Sequence, residues 1–210
     1  MEFDPDCRLC PRLSLFLDQV RTRFPEYHAR PVAPFGDANA RVLVLGLAPG
    51  MHGANASGRP FTGDFAGILL YQTLYQFGFS SSPESISACD GLTLFDCRIS
   101  NAVKCLPPQN KPLTSEIHTC NIFLQRELSR LPPGAVVVAL GTVAHDAVLR
   151  ALGLKRSCYR FAHDRLHELN PNLRLVDSYH CSRYNTQTNR LTPEMFQKVF
   201  RRVRALLAEK

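Results

Sequence analysis

The run Ala135-Val136-Val137-Val138-Ala139-Leu140 contains no polar residue and is halted by Gly141. A half-exposed strand would alternate polar and apolar positions. This run does not, so it predicts a strand buried on both faces, the environment of a parallel sheet covered by helices. Val42-Leu43-Val44-Leu45, halted by Gly46, repeats the pattern. Further strands are expected over 94–103 and 173–179. Helical spacing fills the gaps: a helix over 69–77, another over 115–131 with Thr114 as its N-cap, and one running from Gly141 through Leu152. Thr192-Pro193 opens a last helix, with Phe196, Val199, Phe200, Val203 and Leu206 on one face. Strands alternating with helices imply an α/β fold. The expectation is a three-layer α/β/α sandwich with a mainly parallel sheet of about four strands, in a single domain spanning 1–210.

Ligands of such folds collect at the C-terminal ends of the strands, and the unusual segments of this chain follow strands. Gly46-Leu47-Ala48-Pro49-Gly50-Met51-His52-Gly53 follows the first and leads into Gly58-Arg59-Pro60-Phe61-Thr62-Gly63-Asp64. This is neither a Walker phosphate loop nor a dinucleotide fingerprint. Its glycines let backbone amides approach a ligand. Phe61 can stack on a planar ring or simply fill the core. Asp64 is a general base or a turn residue. Asn101-Ala102-Val103-Lys104-Cys105 follows the second strand, and an Asn side chain offers both donor and acceptor to the edge of a base. The last strand leads into His180-Cys181-Ser182-Arg183-Tyr184-Asn185-Thr186-Gln187-Thr188-Asn189-Arg190, a composition suited to phosphate contacts. His180 can stabilise a developing oxyanion.

The chain has 210 residues, a net charge of +7 and eight cysteines. The basic excess favours polyanionic partners. The N-terminal residues are acidic, without the apolar core of a signal peptide, and no apolar run reaches membrane-spanning length. A cytoplasmic location is therefore expected, where spaced cysteines bind metal more often than they form disulfides. Cys7 and Cys10 form a C-x2-C pair, and Cys105 and Cys120 bracket a Pro-rich loop. Four thiolates suit tetrahedral zinc or a 4Fe–4S cluster, and spacing alone leaves both open. Cys89, Cys97, Cys158 and Cys181 read as small buried residues.

Taken together and in order, the C-x2-C pair, the two Gly-rich segments, the Asn101 segment, Cys120 and the His180 loop resemble the uracil-DNA glycosylase superfamily, most of all its family-five iron–sulfur enzymes. The resemblance runs from Cys7 to the C-terminal helix. It implies a monofunctional glycosylase that removes uracil, and with it other deaminated bases such as hypoxanthine and damaged cytosine, from double- and single-stranded DNA. It implies a 4Fe–4S cluster on Cys7, Cys10, Cys105 and Cys120. Asp64 would stabilise the sugar cation and orient water, because Leu47 stands where family-four enzymes carry an acidic residue. His180 would stabilise the departing base. Phe61 and Asn101 would bind the base, with backbone groups near Leu47, Ala48 and Gly50. Ser182, Arg183 and Asn185 would press on DNA. Cys181 replaces the proline usual after the histidine. No lysine is placed as a Schiff-base nucleophile, and Lys104 is expected to meet phosphate or solvent. A monomer is expected. The competing reading is a non-catalytic iron–sulfur or zinc protein that binds nucleic acid.

Overall fold

A computed structural model describes residues 3–209. The two apolar runs become β2 (Val42–Gly46) and β4 (Ala135–Leu140), both fully buried. With β3 (Cys97–Asn101) and β6 (Leu173–Ser178) they form the parallel centre of the sheet. The sheet has six strands, not about four, in the order β1-β3-β2-β4-β6-β5. The two additional strands are antiparallel edges. β1 is only Phe35–Gly36, too short to carry a period. β5, Leu166–Asn170, alternates buried and exposed and carries His167 and Glu168, so it lacks the apolar run that marks its neighbours.

Alternate side chains of each central strand enter different layers. Val42, Val44, Val136, Val138 and Val176 pack with α3 (Phe65–Gln76) and α7 (Pro193–Ala208). Leu43, Leu45, Val137, Ala139 and Leu175 pack with α4 (Thr114–Ser129) and α5 (Thr142–Ala151). This is the expected three-layer sandwich. A separate cluster joins α1 (Pro11–Arg23) to Phe123 of α4 and to the four paired cysteines. Two short helices, α2 (Ala54–Ser57) and α6 (Arg183–Gln187), complete the chain. Among the described residues no helix is long and apolar enough to cross a membrane.

Several boundaries differ from the sequence expectation. The Thr192 hydroxyl does cap α7, accepting from the Met195 amide at 3.2 Å. Thr114, in contrast, lies inside the first turn of α4. The cap position is Leu113, whose amide donates to the Glu116 carboxylate at 2.7 Å. Glu116 is itself gripped by Arg12 from α1 at 2.7 and 2.8 Å, so a tertiary ion pair placed this helix start. The helix expected over 69–77 begins at Phe65, four positions earlier. The added first turn contains Gly67, whose missing β-carbon lets the helix lie against the Phe61 carbonyl.

Candidate active site and cysteine cluster

All four parallel strands end at one cavity of about 640 Å³. The turn after β2 brings Leu47, Ala48 and Gly50. β3 ends in Asn101. The exit of β4 adds Leu140, Gly141, Thr142 and Val143, and the exit of β6 adds His180, Ser182 and Arg183. Phe61 and Asp64 close the remaining side from the segment before α3. Chain segments remote in sequence therefore meet, as the topology requires.

Asp64 stands at the head of α3 with its carboxylate turned away from the helix amides. One oxygen accepts from the Ala54 amide at 3.1 Å. Burial raises its pKa above the ordinary 3.8, and the Ala54 hydrogen bond only partly opposes this. Glycine at 50 and 53 is what leaves room for the carboxylate: a β-carbon at either position would overlap it.

His180 faces Phe61, the two rings stacked with centroids 6.0 Å apart and planes 26° from parallel. Burial pushes its pKa down to about 4, so the ring is neutral near pH 7. Its Nδ1 is buried without a hydrogen-bond partner among the described residues. Asn101 is buried, and a β-carbon on Gly46 would overlap both its Oδ1 and the Phe61 ring. Gly46 thus lets the two expected base-binding side chains lie against β2.

Phe61 adopts a left-handed backbone, φ 56°, which costs a non-glycine residue on the order of 1 kcal/mol. The neighbours that hold it were not singled out from sequence. The Tyr71 hydroxyl donates to the Pro60 carbonyl at 2.9 Å. The buried Arg59 guanidinium donates two hydrogen bonds to the Asp90 carboxylate at 2.6 and 2.9 Å, and donates to Ser85 and Thr62. Arg59 in turn holds the Asp90 carboxyl well below its ordinary range. Arg59 was visible as part of its segment, but nothing near Asp90 in sequence announces the pairing.

Ser182 caps α6, its hydroxyl accepting from the Asn185 amide at 3.4 Å. Arg183 lies over the Phe65 ring at 5.0 Å, at the mouth of the cavity. Asn185 is turned inward: its side-chain amide donates to the His180 carbonyl at 2.8 Å. It braces the loop and is not among the cavity's lining residues. Lys104 is a correction. It meets neither phosphate nor solvent, because its ammonium is buried and donates to Glu127, Ser100 and the Asn101 carbonyl, the last at 2.9 Å. Cys97 and Cys181 are buried as expected, whereas Cys89, in a turn, and Cys158, in a short 3₁₀ helix, are exposed.

Cys7, Cys10, Cys105 and Cys120 line a single small cavity beneath α1. None is in a disulfide. Burial raises the Cys10 thiol to about 11, helped by the negative fields of Cys120, Glu116 and Cys7, and burial raises Cys105 and Cys120 as well. Four thiolates here would repel one another, so the set suits a cationic centre that gathers them. The Lys104 amide donates to Cys120 Sγ at 3.3 Å, a bond that supports a ligating sulfur.

The model of the uracil DNA glycosylase superfamily matches residues 33–204, which contain every strand and the whole cavity. The chain belongs to this superfamily. It is 46% identical over 205 residues to the type-5 uracil-DNA glycosylase of Thermus thermophilus, covering 95% of this chain and 93% of that protein. It is 41% identical over 204 residues to the type-5 uracil-DNA glycosylase of Pyrobaculum aerophilum, covering 95% and 88%. A type-4 enzyme of Saccharolobus solfataricus is similar at 26%, covering 89% and 84%. One cavity thus brings together the Asp64 carboxylate, the neutral His180 imidazole, the Phe61 ring and the Asn101 amide.

Proposed function

We propose that this chain is a monofunctional uracil-DNA glycosylase of DNA repair, working as a single domain, with Asp64 and His180 as its catalytic residues. The observation that carries the assignment of roles is the pairing of unlike groups across one cavity. Asp64 is held by one backbone amide, and His180 is neutral with an unpartnered ring nitrogen.

The target nucleotide must leave the duplex stack before its bond can be reached, at a cost of a few kcal/mol. Ser182 and Arg183 stand at the mouth to press on the backbone. Uracil then slides against Phe61, and the Asn101 amide reads its polar edge. As the bond from the base to C1′ breaks, its electron pair moves onto the base. His180, a neutral donor, hydrogen-bonds the carbonyl oxygen that gains charge. A neutral donor suits this work, since it holds the anion without protonating it early. Asp64 faces the sugar cation and orients water. Water gives its hydroxyl to C1′ and its proton to Asp64, and the proton finally returns to the departing base. The cavity volume of about 640 Å³ supports acceptance of bases larger than uracil, hypoxanthine and damaged cytosine included.

Cys7, Cys10, Cys105 and Cys120 would hold a 4Fe–4S cluster. When bound, it supplies a covalent tether between the N-terminal segment and the segment after Asn101. Iron and sulfide at four atoms each per chain, with a broad absorption near the visible blue, are expected of anaerobically purified protein. Stoichiometric zinc without iron would replace the cluster by a zinc site.

The decisive experiment is a single-turnover assay on a duplex with one U·G pair, with hypoxanthine-containing and undamaged duplexes alongside. Strand breakage that appears only after alkali, at the uracil, is expected. Tight DNA binding without any excision by cluster-loaded protein would favour a non-catalytic nucleic-acid-binding role.

A further inference from the structure

Beneath the β6 exit, outside the cavity lining, lies a buried polar knot. Asp177 of β6 accepts from three sides: His145 of α5 at 2.7 Å, His167 of β5 at 2.9 Å, and the Ala162 amide at 3.3 Å. His145 uses its second nitrogen as well, 2.8 Å from the Tyr159 carbonyl oxygen. A carbonyl oxygen can only accept, so Nε2 carries a proton. With Asp177 ionised, its carboxylate too can only accept, and Nδ1 then carries a second proton. His145 is then an imidazolium paired with a carboxylate. The three side chains have the composition of a metal site, but contacts of hydrogen-bond length already engage the facing atoms.

The knot lies where it controls the catalytic geometry. His180 follows Asp177 by three residues at the β6 exit. α5, which carries His145, begins with Thr142 and Val143 in the cavity wall. The Gly141 amide donates to the Ser178 carbonyl at 2.8 Å, which closes the gap between the two exits. The Tyr179 amide donates to His163 Nδ1 at 3.2 Å.

We infer that Asp177, clamped between His145 and His167, is a positioning residue: the buried His145–Asp177 ion pair fixes the exits of β4 and β6 and so sets where His180 meets the base. The inference rests on the role proposed above for His180. Burial pulls the His145 pKa down, but the Asp177 hydrogen bond and charge, the Tyr159 carbonyl and the nearby Asp146 outweigh it, and the net shift is upward from 6.5. His167 and the Phe161 ring edge are its other close neighbours. A raised histidine pKa means that the pair's contribution is fully present below about pH 6.5 and is lost as pH rises through the folded value.

Two measurements test this. Imidazole nitrogen NMR of the wild-type chain should show both His145 nitrogens protonated at pH 6.5, with titration at higher pH. A neutral His145 there would overturn the inference without any variant having to fold. Asp177→Asn should slow single-turnover excision at saturating DNA by about 100-fold, the scale of a small misplacement of a catalytic group. It should leave DNA affinity nearly unchanged, and it should lack the fall in rate expected of the wild-type chain as His145 loses its proton. Wild-type rate and pH profile in that variant would overturn the inference while leaving the glycosylase assignment standing. Excision absent from the wild-type chain would overturn the assignment itself.

Discussion

Asp64 and His180 both owe their chemistry to burial, which acts on them in opposite senses. Burial disfavours charge, so it raises the carboxyl and lowers the imidazole. The role proposed for Asp64 needs it ionised. The rate should therefore rise with pH along an acid limb displaced above 3.8. Asp64→Asn should lose about 100- to 1000-fold in single-turnover rate and lose that limb with it. Rates measured from pH 4 to 8 check both statements. His180 makes a stability prediction. Its folded pKa of about 4 lies below the ordinary 6.5, so the unfolded chain binds the proton first as pH falls. Folding stability contributed at this position is present above pH 6.5 and drains away toward pH 4. His180→Asn should flatten that part of the denaturation midpoint's pH profile, and it should reduce excision at pH 7.

The first turn of α3 shows how an element can be shaped by its neighbour. A β-carbon on Gly67 would overlap the Phe61 carbonyl oxygen, a backbone atom that cannot swing aside. The left-handed Phe61 and the glycine in the helix are one feature: the helix approaches closely enough to hold the strained residue in place. Gly67→Ala gains helix propensity, yet overpacking should dominate. The expected result is destabilisation by about 1–3 kcal/mol in urea melts, with a weaker KM for uracil-containing DNA as Phe61 shifts. A variant more stable than wild type would show that the contact relaxes freely. Arg59 acts on the same segment from its other side, its guanidinium spanning Thr62, Ser85 and Asp90.

At the scale of the whole molecule, the cysteine cluster joins parts that the sheet does not. α1 does not cover the sheet; it packs on α4. It is held through Leu13, Leu17 and Val20, the four cysteines, and the Arg12–Glu116 ion pair to α4. Cys105 follows Asn101 by four positions, so the proposed tether lies close in the chain to a residue proposed to bind the base. Cys10→Ser should empty the proposed cluster, lower the melting temperature and loosen α1. The readouts are loss of iron, and proteolysis that begins in the N-terminal segment. Retention of full iron by this variant would remove Cys10 from the ligand set. The charge of +7 should make DNA affinity fall with salt, and Arg183→Ala should reduce that slope by about one.

The sequence by itself determined what depends on local pattern. Val42–Leu45 and 135–140 had to be buried strands because nothing polar interrupts them, and their glycine stops placed the functional turns at strand ends. The motif order from Cys7 to the His180 loop carried the superfamily, and Phe61, Asp64, Asn101 and His180 indeed line one cavity. What tertiary structure decided depends on partners distant in the chain. The edge strands β1 and β5 have no pattern of their own and exist because a neighbour offers hydrogen bonds. Lys104 is expected from sequence to meet phosphate or solvent, since lysine is costly to bury alone. Only the fold places Glu127 beside it and makes burial tolerable. The start of α4, the Arg59–Asp90 bond and the His145–Asp177–His167 knot have the same origin. Each is a pairing of polar groups whose free energy appears only when both are withdrawn from water together, and no single stretch of sequence contains both partners.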